Sequence, residues 1–363
     1  MQFLIRADAS LQIGSGHIMR CLTLAHKLRQ QHHRITFITR AHQGHLADTI
    51  RQQGFDCILL PLPDHATTSA QPQRQPEPAC NELPPSPPAP AIPHAAWLAT
   101  SQAQDITDCA PHIRALAPDW IICDHYALAA AWQTAARALC HSKIMVIDDL
   151  HDRAHDADLL LDQNHAHTAA DYAPLVPPSC RILTGTRYAL LRDEFAQHRT
   201  ISLHQRATPP ARQPETALPH SQNILINLGG VDKDNHTLAV LQALSAYVSG
   251  SLKALPIRAT IIMGATAPHL ASVQRYAATA PYPGQVIANA HNMAELMTQA
   301  TWAIGAAGSS SWERCALGLP TLHRRQPTLH RRPTATRRRS PRPRSQPNPQ
   351  PRLPSHPHPP DAA

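Results

Sequence analysis

Gln2-Phe3-Leu4-Ile5-Arg6-Ala7-Asp8, then Ala9-Ser10-Leu11-Gln12-Ile13-Gly14-Ser15-Gly16, then His17-Ile18-Met19-Arg20-Cys21-Leu22-Thr23-Leu24-Ala25 is the stretch whose reading decides the fold. Residues 2–8 read as a short apolar strand and 9–16 as a loop. Behind the loop Ile18, Cys21, Leu22, Ala25 and Leu28 fall at i, i+3, i+4, i+7 and i+10, the stripe of a helix that buries one face. Strand, glycine loop and helix then recur. Residues 34–39 and 56–60 read as strands around a helix at 44–53. Strands follow at 120–124, 144–149 and 158–162. The rhythm restarts with a strand at 223–228, the turn Gly229-Gly230 and a helix from about Asn235, then strands at 257–263, 285–287 and 302–304 and a helix at 293–299. Alternation of this kind predicts α/β structure with parallel sheets. Two such runs predict two Rossmann-like domains, with ligand in the cleft outside the carboxyl ends of the strands.

Composition separates these runs from what surrounds them. The chain has 363 residues, enough for two domains, and 36 prolines, about double ordinary usage. Eleven of the prolines lie in 61–95, four in 205–220 and eleven in 323–363. The expected organisation is therefore an N-terminal catalytic domain over 1–200 with a Pro-rich insertion at 61–95, a linker at 205–220, a nucleotide-binding domain at 221–322, and a disordered tail. From Thr321 the sheet-like pattern gives way to Arg, Pro and His, an abrupt change of the kind a shifted reading frame near Leu322 produces. The formal charge of +8 also belongs to the tail, where ten arginines face a single acid, Asp361. Residues 1–322 carry 23 basic and 24 acidic residues, which argues against a nucleic-acid-binding domain. Eight cysteines without a CxxC pair read as free reduced thiols. There is no apolar leader and no run of about 18 apolar residues. The expectation is a cytoplasmic protein with no membrane partner.

Three segments carry the chemistry. The turn at Gly14 and Gly16 opens a helix, where backbone amides and the helix dipole favour an anion. His17 stands at that start, where it reads either as a structural or capping residue or as a general base on water while it stays neutral. Gly305-Ala306-Ala307-Gly308-Ser309-Ser310-Ser311-Trp312-Glu313 follows a strand with small residues and hydroxyls. It reads either as a phosphate cradle, with Glu313 on a ribose, or as tight packing with serine caps. Gly229-Gly230-Val231-Asp232 is a further candidate for diphosphate contact.

With Asp124-His125-Tyr126, Asn164, Asp171-Tyr172, Gly185-Thr186-Arg187-Tyr188-Ala189-Leu190-Leu191-Arg192-Asp193-Glu194-Phe195 and Leu228-Gly229-Gly230, these segments resemble the UDP-sugar hydrolase of pseudaminic acid biosynthesis. The resemblance covers about residues 1–60 and 97–320. It implies the two-domain fold of nucleotide-sugar glycosyltransferases (GT-B), acting as a monomer. It also implies hydrolysis of UDP-2,4-diacetamido-2,4,6-trideoxy-β-L-altropyranose to free sugar and UDP, with no metal and no cofactor. The family's catalytic histidine maps onto His17, and attack by water on the opposite face inverts the anomeric carbon. UDP is expected at Gly229, Gly230, Ser309, Ser310 and Glu313, with Tyr126, Asn164 and Tyr172 toward the sugar. Arg192 either meets the diphosphate or docks a carboxylate.

The chain departs from that family in its insertion, its linker and everything after Gly318-Leu319-Pro320-Thr321, where the family continues the sheet. The C-terminal domain is thus expected to be incomplete. Two alternatives stand beside the hydrolase: a UDP-sugar glycosyltransferase on the same fold, and an inactive truncated product. A metal-dependent hydrolase built on Asp148, Asp149, His151, Asp152, His155, Asp156 and Asp158 is a weaker competitor.

Overall fold

The computed structural model describes residues 1–63, 92–207, 221–250 and 255–324. Most of the insertion, residues 208–220 of the linker and the chain beyond Arg324 lie outside the described residues. In the first half, β1 (Gln2–Ala7), α1 (Gly16–Gln30), β2 (Arg34–Arg40), α2 (Ala47–Gln52) and β3 (Asp56–Leu60) precede the insertion. After it come α3 (Gln102–Leu116), β4 (Trp120–Asp124), α4 (Ala130–Cys140), β5 (Lys143–Ile147), β6 (Leu159–Asp162), α5 (Ala169–Tyr172) and β7 (Arg181–Thr184). The seven strands form one sheet in the order β3-β2-β1-β4-β5-β6-β7, and every pairing is parallel.

Both faces of this sheet are covered, so apolar residues of its strands point to either side rather than alternating with solvated ones. Phe3, Ile5 and Ala7 pack with Ile18, Cys21, Leu22 and Ala25 of α1 on one side. Leu4 packs on the other with Cys109 and Ile113 of α3 and Trp132 and Ala136 of α4. The stripe read on α1 is the face that meets the sheet.

The second half holds β8 (Gln222–Asn227), α7 (His236–Gly250), β9 (Ile257–Met263), α8 (Leu270–Thr279), β10 (Gly284–Ala288), α9 (Met293–Gln299), β11 (Trp302–Ala306), α10 (Ser309–Ala316) and β12 (Thr321–Arg324). Its sheet is parallel in the order β10-β9-β8-β11-β12. Two expectations shift here. β12 pairs in register with β11, Ala303 opposite Thr321 and Ala306 opposite Arg324, so the sheet runs two residues into the stretch assigned to the tail. The helix Asp193–Ala207 (α6) passes through the division at residue 200 and through the first residues of the linker. Its Phe195 is buried in the second half's core with Leu225, Met293, Met297 and Leu317. Ser202 and Arg206 also donate to the Leu317 carbonyl, so packing assigns this helix to the second half.

Arg6 is inside the first half, on the α3 side of β1, and is fully buried. Its guanidinium meets Asp8 at 2.6 Å and Asp105 of α3 at 2.7 Å. Asp105 also accepts from Arg40 at 2.7 Å and from the Trp132 indole at 3.0 Å, tying α3 to β1, β2 and α4. Breaking a buried pair leaves an uncompensated charge. Asp105→Ala should therefore lower the unfolding free energy by about 3–5 kcal/mol, read as an earlier urea midpoint at an unchanged m-value. A midpoint equal to wild type would show that Arg6 and Arg40 do not need this carboxylate.

Candidate active site

Strand order reverses at β1, which has β2 on one side and β4 on the other, and the crevice at such a reversal is where ligands sit in open α/β sheets. The loop carrying Gly14 and Gly16 leaves β1 at this point, and β4 ends beside it at Asp124. His17 is only 7% exposed, and its Nδ1 lies 2.6 Å from Asp124 Oδ1. Nδ1 therefore carries the proton it donates, which leaves Nε2 as the ring's lone pair. No described residue bonds Nε2. Arg20, one turn along α1, donates to both Asp124 oxygens at 2.6 Å. Burial pushes the Asp124 carboxyl up, but Arg20 and then His17 outweigh it and hold the group below the usual carboxylate range.

A second carboxylate extends the wall. Asp149, just past β5, accepts from Arg20 Nη1 at 2.5 Å, from the Tyr126 hydroxyl at 2.8 Å and from the Asn164 amide at 3.0 Å. Tyr126 also sets its ring edge-on to His17, with centroids 4.5 Å apart. The structure thus brings His17, Tyr126 and Asn164 together through Asp124, Arg20 and Asp149, whose roles the sequence reading did not anticipate. The sequence offered only that Asp124 ends a buried strand; that this strand lies beside β1 is visible in the fold alone.

The second sheet reverses in the same way at β8, between β9 and β11. Gly229-Gly230 follows β8, and the run from Gly305 to Gly308 leads from β11 into α10. Gly14 (φ +83°) and Gly229 (φ +105°) hold backbone conformations that side chains rarely adopt. Gly230 lies against the first half, where a Cβ would fall 3.2 Å from Ser15 Oγ, so the two glycine turns meet. Ser309 and Ser310 are half-buried in the first turn of α10. Glu313 accepts from Arg192 at 3.1 Å, and Arg192 also pairs with Glu194 at 2.8 Å. Burial raises the Glu313 carboxyl, opposed by Arg192. Arg192 thus docks two carboxylates in this structure.

Tyr172 is fully buried, its hydroxyl 3.1 Å from both Asp148 Oδ2 and Asp162 Oδ2, so it braces two carboxylates. The residues of the competing metal reading have separate partners. Asp156 and Asp158 bind Arg137, Asp148 and Asp152 bind Arg153, and His155 faces the Gln133 amide. Among the described residues no group of three or more His, Cys, Asp or Glu is placed to hold a metal ion. The seven cysteines among them are free, and no helix is long and apolar enough to cross a membrane.

Two parallel α/β sheets meeting at the glycine turns that follow their reversal points define a GT-B-like architecture. The chain is similar in fold to the structure of Acinetobacter baumannii MurG, with a TM-score of 0.50 and 16% identity over 91% of this chain and 80% of that one. It is 27% identical over 197 residues to the UDP-2,4-diacetamido-2,4,6-trideoxy-β-L-altropyranose hydrolase of Campylobacter jejuni, 54% of each protein. It is also 22% identical over 344 residues to an uncharacterised protein of Methanocaldococcus jannaschii, 91% of this chain and 57% of that protein. The chain spans about half the length of the curated relatives it matches. No protein-family model matches it.

Next to Asp124, His125 is buried with Nδ1 accepting from the Ala127 amide and Nε2 facing Asp8 at 3.4 Å. Burial drives its pKa down to about 3, and burial likewise drives His155 down to about 4. An unfolded histidine takes its proton near 6.5, so between there and the folded values the unfolded chain holds more protons, and stability falls as pH drops. Each site adds a slope of about 1.4 kcal/mol per pH unit across its window. His125→Asn should remove one such slope between about pH 6 and pH 4, followed as urea midpoints at successive pH values. An unchanged slope would show that His125 is not kept neutral by the fold.

Proposed function

We propose that the protein hydrolyses a UDP-sugar, with His17 as general base and UDP-2,4-diacetamido-2,4,6-trideoxy-β-L-altropyranose as substrate. The observation that carries the reading is the His17–Asp124 pair, which leaves Nε2 of a fixed imidazole without a partner among the described residues at the crevice where strand order reverses. A water on that nitrogen would lose its proton to His17 as its oxygen attacks the anomeric carbon. The bond from that carbon to the diphosphate oxygen breaks, UDP departs with the electron pair, and the configuration inverts. Asp124 keeps the productive tautomer and stabilises the imidazolium as it forms, the part a carboxylate plays behind a catalytic histidine.

The remaining roles follow from position. Gly14 and Gly16, with Gly229 and Gly230 opposite, allow backbone to approach the diphosphate. Ser309 and Ser310 present hydroxyls at the first turn of α10, and Glu313 would accept the ribose hydroxyls beside Arg192. Tyr126 and Asn164 face the sugar, oriented by Asp149. In this reading the first half is catalytic, the second holds the nucleotide, and the enzyme works as a monomer without metal or cofactor. The activity for which the Campylobacter jejuni relative is named supports the substrate.

The test is to incubate the protein with this UDP-sugar in the absence of any acceptor and to follow UDP. Wild type should release it, His17→Ala should not, and Asp124→Asn should be slower by about 10²–10⁴-fold with its melting temperature retained. Equal rates for wild type and His17→Ala would overturn the mechanism. UDP that appears only when an acceptor sugar is added would assign a glycosyltransferase instead.

A further inference from the structure

Arg314 of α10 is 1% exposed and has no carboxylate among the described residues. Its Nη2 donates to the Ala306 carbonyl at 2.8 Å and to Ser311 Oγ at 3.1 Å, and its Nη1 to Ser310 Oγ at 3.2 Å. Nε has no partner. The guanidinium lies flat against Gly305 of β11, where a Cβ would fall 2.6 Å from Cζ, so the strand is shaped to admit it.

The surroundings do not balance this charge. Glu313, the next residue, is bound to Arg192. His323 of β12, paired with Gly305, is pushed down first by its own burial and then by the charge of Arg314. Burial likewise lowers Arg314 itself, with Glu313 opposing only in part. The other fully buried arginines among the described residues, Arg6 and Arg40, each meet at least one aspartate. A buried cation held only by hydroxyls and a carbonyl is costly, and an opposite charge that arrived from outside would offset that cost.

The hydroxyls that Arg314 holds belong to the first turn of an eight-residue helix entered through Gly308 at φ +141°, and that turn contains no acidic side chain. Helix amides and dipole there favour an anion. We infer that the diphosphate of the nucleotide is the missing counter-charge of Arg314, which acts as a positioning residue by aiming Ser310 and Ser311 and placing an unmatched positive charge beneath the first turn of α10. The inference rests on the UDP reading above and adds to it a residue and an electrostatic reason for selecting a diphosphate over a neutral nucleoside.

Calorimetric titration of the full chain with UDP and with uridine tests it, with folding checked by circular dichroism. Arg314→Met should lose about 10- to 100-fold in affinity for UDP while uridine binds as in wild type, and Arg314→Lys should recover part of the loss. Arg314→Gln, polar but uncharged, gives the same comparison if the methionine variant does not fold. A neutral variant that binds UDP within twofold of wild type overturns this inference alone, as does an equal loss for UDP and uridine, which would mark a purely structural arginine. Wild type that binds neither ligand overturns the UDP reading and this inference with it.

Discussion

Four strands of the first sheet finish at a carboxylate taken wholly out of water. Asp124 and Asp162 are the last residues of β4 and β6, and Asp8 and Asp148 follow β1 and β5 directly; all four are 0% exposed. An ion in that position is tolerated only with a partner and further hydrogen bonds. The partners are Arg6 for Asp8, Arg20 and His17 for Asp124, Arg153 for Asp148, and His167 with the Tyr172 hydroxyl for Asp162. Each partner is thereby held at the carboxyl edge of the sheet. The catalytic candidate is one member of this row, and the same demand that satisfies a buried charge fixes its ring.

What was legible in the residues was local. The stripe on α1, the apolar strands 56–60 and 120–124 and the helix 293–299 depend on neighbours a few positions apart, and they lie where the sequence placed them. The glycine turns were legible for the same reason. The link from His17 to Asp124 crosses 107 positions and exists only because β4 pairs with β1, a choice of partner that no spacing encodes. Asp105 escaped notice in the same way, since nothing in α3 announces that its carboxylate will meet two arginines on different strands. Helices α3, α4, α6 and α8 were passed over, and β12 was cut short because His323 and Arg324 do not look like sheet residues until β11 lies beside them.

The two halves reach comparable edges by different chemistry. The first crowds aspartates, arginines and histidines around its reversal point, and among the described residues none bonds Nε2 of His17. The second has glycines, serines and a single buried cation around its own, so its edge is made of backbone and hydroxyls. One side is lined by titratable side chains and the other by backbone and hydroxyl groups. Both are supplied from the ends of parallel strands, and the contact of Gly230 with Ser15 sets them side by side.

Helix α6 bears on how this chain can be taken apart. Covalently it continues the first half, yet Phe195 and Ser202 are seated in the second half's interior. A fragment opened at the proline-rich stretch after residue 207 would strip the second sheet of one of its covering helices and lay bare Leu225, Met297 and Leu317 to solvent. Any swap of modules between related chains would have to place its junction upstream of Leu191, leaving the connecting helix with the half it covers.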